Sequence, residues 1–419
     1  MAVLPRGDDP PKPPRGPSVP ARALHALLLN GVADAARLAE PLARALDGTG
    51  PAILPLDATQ PAARLRRLVD AFAPDVVVTA DGEATVRSEK RATAPDTAVI
   101  IGTSGSTGEP KGVELSAAAL RHSALASLAR LGARPGDRWL CCLPVTHVAG
   151  LQVLVRSLLS SSERTVASPL DATALAESGC AYVSVVPTQL VRLLDEPGGA
   201  AALSAFSAVL VGGAAAPAGL LDRARAAGVA VVTTYGMSET CGGCVYDGVP
   251  LDGVRVRADD DGLLRIAGSV LMNRYHGGPD LGGEFVTSDL GYVRDGRVVV
   301  RGRADDVINT GGHKVVPGEV AAVLESCPGV REVVVVGRAD PEWGQRVTAV
   351  VVPADPADPP TLELLRGHVR QRLPRYACPS EVVLTRAIPV LASGKPDLAS
   401  LREARTLRGW EQSRPRSVN

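Results

Sequence analysis

The sequence predicts an α/β protein: a large N-terminal domain of mainly parallel sheets flanked by helices, followed by a small α+β C-terminal domain. Three observations carry this expectation. Short β-branched runs at 182–186, 208–211 and 229–233 are separated by helix-length segments, the alternation that parallel strands need for their crossovers. The 419 residues, 45% of them apolar, exceed one ordinary domain and suffice for sizeable cores. Strand candidates at 333–336 and 347–352, with a helix-like segment at 362–373, form a second block of roughly 110 residues, within normal domain size.

From the N-terminus, residues 1–20 read as a disordered tail. Pro10-Pro11-Lys12-Pro13-Pro14 stands where a signal peptide would need an apolar core. The large domain is expected over 21–303. Within it Ser116 is a candidate N-cap for a helix over 117–131, because Leu120, Ala124, Leu128 and Leu131 recur at helical spacing before Gly132 stops the pattern. The small domain is expected over 304–404, and 405–419 reads as a second flexible tail. No internal repeat is visible.

Lys+Arg 45 balance Asp+Glu 45, so no electrostatic footprint favours nucleic acid or an anionic membrane as a partner. No apolar run reaches the length of a membrane span, and a cytoplasmic location is expected. Seven cysteines, an odd number, point to reduced thiols rather than a disulfide framework. Cys241 and Cys244 alone have a redox or zinc spacing. No second Cys pair or nearby His completes a four-ligand set, and small side chains beside a crowded pocket are the other reading.

The chemistry is concentrated in Thr103-Ser104-Gly105-Ser106-Thr107-Gly108-Glu109-Pro110-Lys111-Gly112, which follows an apolar strand-like segment at 98–101. Four hydroxyls and three glycines let the backbone turn its N–H groups onto an anion, and one lysine adds a point charge for a polyphosphate. A Gly/Ser-rich surface turn is the plain alternative. A P-loop NTPase is the rival, but that motif needs Gly followed at once by Lys and Ser/Thr, whereas Glu109-Pro110 intervene here.

The run resembles the phosphate loop of the adenylate-forming superfamily, which holds acyl- and aryl-CoA ligases, adenylation domains and luciferases. Further segments follow in that family's order: Thr234-Tyr235-Gly236-Met237-Ser238-Glu239-Thr240 (adenine and magnesium), Thr287-Ser288-Asp289 (ribose), Gly302-Arg303-Ala304-Asp305-Asp306 (hinge) and Ser393-Gly394-Lys395 (C-terminal lysine). The similarity spans about 98–401. It implies activation of a carboxylic acid by ATP with Mg²⁺, then transfer to coenzyme A. The partners it implies are therefore small molecules, with a homodimer left open.

By that resemblance Thr103 to Gly108 and Lys111 hold the polyphosphate, and Glu239 with Thr107 holds Mg²⁺, a hard cation that prefers oxygen. Tyr235 and the Gly212-Gly213-Ala214 segment bracket the adenine, together with Gly236, Met237 and Ser238. Asp289 takes the ribose hydroxyls, and Arg303 reaches the sugar or the α-phosphate. Lys395 is the catalytic lysine. It is carried on a mobile domain that swings about Asp305, and Gly311, Gly312 and Lys314 then edge the pantetheine channel. One departure stands out: the family often has Ile-Lys after the hinge, where this chain has Ile308-Asn309.

The stretches 143–156 and 235–253 look like the short, actinobacterial-type o-succinylbenzoate:CoA ligases of menaquinone biosynthesis. Arg156 interrupts the apolar segment 151–159, where a charge is costly unless paired. A dicarboxylic acid would supply a partner through the carboxylate that is not activated. An internal salt bridge or a reach to solvent are the structural alternatives. His147, with Gly236 and Ser238, is expected to line the acid pocket as a wall, a satisfied core histidine being the other reading. Another acyl- or aryl-CoA ligase, a stand-alone adenylation enzyme and a non-catalytic nucleotide-binding protein are the competing functions.

Overall fold

The computed structural model describes residues 22–79, 82, 84–86, 92–104, 109–391 and 395–403. The two expected tails lie outside the described residues. Two seven-stranded sheets build the large part of the molecule. In the first, Leu24–Leu29 pairs in parallel with Ala52–Asp57 and Val76–Val78, and Ala52–Asp57 pairs with Thr97–Ser104. Thr97–Ser104 then returns as an antiparallel hairpin into Pro110–Ser116. The second has a parallel core of Trp139–Cys141, Arg164–Val166, Tyr182–Val185, Ala208–Val211 and Val231–Met237, edged by antiparallel Gly242–Tyr246 and Val249–Pro250. Tyr182–Val185 and Ala208–Val211 are buried along their whole length, as expected of strands covered on both faces.

The expected helix is Ala117–Leu131. Ser116 Oγ accepts from Ala119 N at 3.1 Å, and Gly132 ends it in the left-handed conformation at φ 64°. Helix Val148–Leu159 has every residue from Gly150 to Ser157 buried, as a helix packed on all sides must. Its Leu151, Val153, Leu154 and Val155 share one core with Leu120, Ala124 and Leu128 and with strands of both sheets. This sandwiched helix carries His147 at its start and Arg156 in its last turn.

Glu114, on Pro110–Ser116, is fully buried. It accepts from Ala94 N at 2.9 Å and Thr97 Oγ1 at 2.8 Å, meets His276 Nδ1 at 2.8 Å, and has Arg274 Nε at 3.3 Å. Those bonds and charges outweigh burial and hold its carboxyl below the ordinary value.

A four-stranded antiparallel sheet, Val254–Ala258, Leu263–Gly268, Glu284–Arg294 and Arg297–Arg303, follows. The chain then passes through the 3₁₀ turn Ala304–Asp306 into a separate five-stranded sheet. The predicted strands there extend to Val330–Asp340 and Gly344–Pro353, paired as a hairpin, and the helix is Leu362–Arg370, capped by Thr361. Ile308, Val320, Leu324, Val335, Val351 and Leu365 form a core of their own. Polar contacts reach back across the turn. Arg301 Nε meets Glu319 Oε1 of helix Pro317–Leu324 at 2.6 Å, and the Glu325 carboxylate faces the N–H of Ala218 at the start of Ala218–Ala226. No helix among the described residues is long and apolar enough to cross a membrane.

Candidate active site

The glycine- and hydroxyl-rich run is the tip of the hairpin Thr97–Ser104/Pro110–Ser116. Thr103 sits opposite Lys111, and Thr103 Oγ1 donates to Lys111 O at 3.2 Å. A loop that returns into an antiparallel strand has no helix N-terminus behind it, so the strand–loop–helix context of a P-loop NTPase is absent. Gly105, Ser106, Thr107, Gly108 and the Ser104 side chain lie outside the described residues.

Lys111 Nζ stands 5.4 Å from the centroid of Tyr275. The Tyr275 hydroxyl donates to Glu239 Oε1 at 2.8 Å. Burial and the neighbouring Glu239 push this phenol up, so it stays the donor. Glu239 belongs to the 3₁₀ turn Ser238–Thr240, fixed by Met237 N donating to Thr240 Oγ1 at 3.0 Å and Met272 N donating to Glu239 O at 2.8 Å. The oriented carboxylate is an oxygen donor suited to a hard cation, and the Lys111 ammonium at the same tyrosine ring suits a polyphosphate. Tyr275 escaped the sequence reading, because only the pairing of Arg274–Tyr275 with Pro110–Ser116 brings it there.

A second cluster joins three expected residues. Tyr235 Oη donates to Asp289 Oδ2 at 2.7 Å, Arg303 Nη1 donates to Asp289 Oδ1 at 3.3 Å, and Arg303 Nη2 donates to Asp305 Oδ2 at 3.0 Å. Burial pulls the guanidinium down, but Asp305 and Asp289 more than offset it, and Arg303 ends above its ordinary value. Gly212, Gly213 and Ala214 follow the end of Ala208–Val211, in register with the strand that carries Tyr235. Gly236 is required by close approach: a Cβ there would stand 2.0 Å from Gly242 O.

His147 is the exposed N-cap of the buried helix, with enough protein nearby to desolvate its ring in part. This partial burial lowers its basicity; Asp57 opposes the shift and the Lys395 ammonium adds to it. Lys395, from the C-terminal part of the chain, is thus within electrostatic reach of His147. Ser393 and Gly394 of the same motif lie outside the described residues.

Arg156 is 5% exposed. Its Nε donates to Gln152 O at 3.0 Å, and Nη1 donates to Ser127 Oγ at 3.1 Å and to Tyr246 Oη at 3.4 Å. The guanidinium lies 4.1 Å from the Trp139 ring centroid, and Trp139 stacks on Tyr182. Among the described residues it has no carboxylate partner, and burial is the main force lowering its pKa. Among the described residues neither structural alternative is seen: the guanidinium has no ion pair there and is almost fully buried.

Gly311 and Gly312 form the turn between Ile308–Thr310 and His313–Val315, where Lys314 is exposed. The Trp343 ring covers Gly311, and Asn309, where the family often has lysine, uses its N–H on Gln345 Oε1 at 2.8 Å. All seven cysteines are free and buried. Burial pushes Cys244 up to about 11 and Cys241 further in the same direction. Among the described residues no group of three His, Cys, Asp or Glu side chains is placed to hold a metal.

Two-part architecture, a hydroxyl-rich run between hairpin strands, a tyrosine shared by a carboxylate and a lysine, and a lysine from the small domain together define an adenylate-forming enzyme. The family model for AMP-binding enzymes matches residues 81–273, and that for the AMP-binding enzyme C-terminal domain matches 319–395. A Mycobacterium tuberculosis protein named "Probable 2-succinylbenzoate--CoA ligase" is 47% identical over 323 residues, 73% of this chain and 84% of that protein. The Bacillus cereus 2-succinylbenzoate--CoA ligase is 33% identical over 336 residues, 73% of this chain and 69% of its own length. The o-succinylbenzoate CoA synthetase of Bacillus subtilis in complex with the acyl-adenylate intermediate superposes with a TM-score of 0.75 at 25% identity, over 93% of this chain and 90% of that one. The same enzyme with ATP and magnesium ion gives 0.75 at 25% identity, over 92% and 90%. The chain belongs to the AMP-binding enzyme family, among the 2-succinylbenzoate--CoA ligases.

Proposed function

We propose that the chain joins 2-succinylbenzoate to coenzyme A in two steps, giving the thioester, AMP and pyrophosphate. First, a carboxylate oxygen attacks the α-phosphorus of ATP. The bond to the bridging oxygen breaks and pyrophosphate leaves with its electron pair. Second, the CoA thiolate attacks the acyl carbon and AMP leaves. The first step brings an anion onto a polyanion, so its catalysis is largely charge neutralisation in a prepared site. Lys111 and the hairpin tip take the β- and γ-phosphates, Asp289 takes the ribose, Tyr235 and 212–214 take the base, and Arg303 serves the sugar or α-phosphate. Mg²⁺ held by Glu239 and Thr107 would add cationic charge on the polyphosphate. Lys395 reaches the attacking carboxylate beside His147. For the second step Gly311, Gly312 and Lys314 edge the thiol channel after the small domain turns about Asp305.

One observation carries the choice of acid: a buried guanidinium, Arg156, with no anion among the described residues, in the last turn of the helix whose start places His147 near Lys395. A diacid presents one carboxylate to each cation. ATP–pyrophosphate exchange with a panel of acids is the test, with 2-succinylbenzoate expected to exceed monocarboxylic aryl acids. Arg156→Leu should raise KM for the diacid by an amount equivalent to ~2–5 kcal/mol, the cost of removing one side of a desolvated charge pair. Equal loss for a monocarboxylic analogue would give Arg156 a packing role and reopen the choice of acid.

A further inference from the structure

Gln152 stands one turn before Arg156 on the buried helix, about 6 Å nearer its His147 end by helical rise. Its side chain is 5% exposed, and neither its amide oxygen nor its amide nitrogen has a hydrogen-bond partner among the described residues. Its Cγ would lie 3.5 Å from a side-chain carbon added at Gly242, and the Gly242 carbonyl crowds Gly236, an expected acid-binding position. Gln152 is therefore packed against the Gly236–Gly242 segment, one helical turn nearer His147 than Arg156.

A buried polar group left without a partner costs about 1–3 kcal/mol, and Met or Leu would suit this helix at least as well. The amide is thus a poor choice for stability at this position, the usual mark of a group meant for something that binds. We infer that Gln152 is a specificity-determining residue whose amide N–H donates to the carboxylate that is not activated, alongside Arg156. This rests on the reading of the acid given above. A half-turn of the terminal torsion exchanges the amide's two ends, so the donor can face the ligand. The diacid thereby gains a neutral donor next to the cation, and a monoacid leaves both unused.

The test uses the full chain as wild type, Gln152→Met, Gln152→Leu and Arg156→Leu. The readouts are melting temperature without ligands and kcat/KM for 2-succinylbenzoate and for an analogue lacking the second carboxylate. For Gln152→Met the melting temperature should stay level or rise, because an unpaired amide is replaced by an isosteric apolar chain. The ratio of the two kcat/KM values should fall on the order of ten- to a hundredfold, through KM for the diacid, as expected for a lost hydrogen bond to a charged group. Gln152→Leu, measured the same way, decides the matter should the Met variant not fold. An unchanged ratio, or a lowered melting temperature with equal loss for both acids, overturns the inference and makes the amide a packing or water-holding group. The Arg156→Leu arm separates the two readings. If it shifts the ratio and Gln152→Met does not, this inference alone falls; if neither shifts it, the diacid reading falls too.

Discussion

Glu114, on the second strand of the hairpin, and Tyr275, on the short strand paired beside it, have chemistry that predicts different failures. Glu114 is a buried carboxylate held below its ordinary value of 4.5 by His276, Ala94, Thr97 and Arg274, against the contrary effect of burial. A depressed folded-state value means the stabilisation is present above the unfolded value and is lost as pH falls through the lower one. Glu114→Gln should lower stability at neutral pH by about 3 kcal/mol, since it strips the anion from a buried charged cluster. It should also flatten the loss of stability on acidification below about pH 4.5. Denaturant midpoints across that range check both, and an unchanged acid slope would mean another carboxylate sets it. Tyr275→Phe keeps the ring under Lys111 but removes the hydroxyl on Glu239. The Mg²⁺ concentration for half-maximal rate should rise about tenfold, the lower end of what an outer-shell partner is worth. ATP binding measured with Mg²⁺ chelated should not change, and a fall there would assign Tyr275 to the phosphates instead.

At the scale of elements, helix Ala117–Leu131 packs against the helix that carries Gln152 and Arg156. Ser127 contacts Arg156, and Ser123 Oγ donates to Cys241 O at 3.2 Å. Its cap is local chemistry, so Ser116→Ala should cost about 1 kcal/mol. A lower melting temperature with an unaltered preference between acids is the expected result, and a changed preference would show that fraying reaches Ser127. The same locality explains what could be read in advance. Both ends of this helix were visible in the sequence because cap and stop lie beside the pattern they bound. The phosphate run was visible by composition, but its hairpin setting depends on a strand returning to pair. The strand expected at 229–233 begins at Val231 and runs on to Met237, since pairing with Ala208–Val211 and Gly242–Tyr246 decides its ends rather than β-propensity. Arg156 stood out as a charge in an apolar run, but its neighbours Ser127, Trp139 and Tyr246 come from distant segments with no shared periodicity. Gln152 offered even less: a polar residue in a helix is unremarkable until every face of that helix proves to be covered.

At the scale of the whole molecule, the proposed mechanism divides the reaction between two parts joined at Ala304–Asp306. On that mechanism Lys395 acts where two anions meet, a need confined to the first step. Lys395→Ala should therefore slow acyl-AMP formation by ~10²–10³, the worth of one transition-state electrostatic partner. Thioester formation from preformed acyl-AMP should be far less affected. Single-turnover measurements of each half-reaction check this, and equal losses would remove Lys395 from the adenylation step.

The Arg301–Glu319 pair spans that joint, and both side chains are partly open to water. Such a contact is worth about 0–1 kcal/mol, so it can bias the two parts toward the arrangement that brings Lys395 to His147 without locking them there. It is also open to dissolved ions, which screen exposed charges over about 8 Å at physiological ionic strength. If the two parts alternate as proposed, the balance between the half-reactions becomes a property of the medium as well as of the chain: a saltier solution should loosen the arrangement that brings Lys395 to His147, while the buried Glu114 cluster on the hairpin strand is left almost untouched.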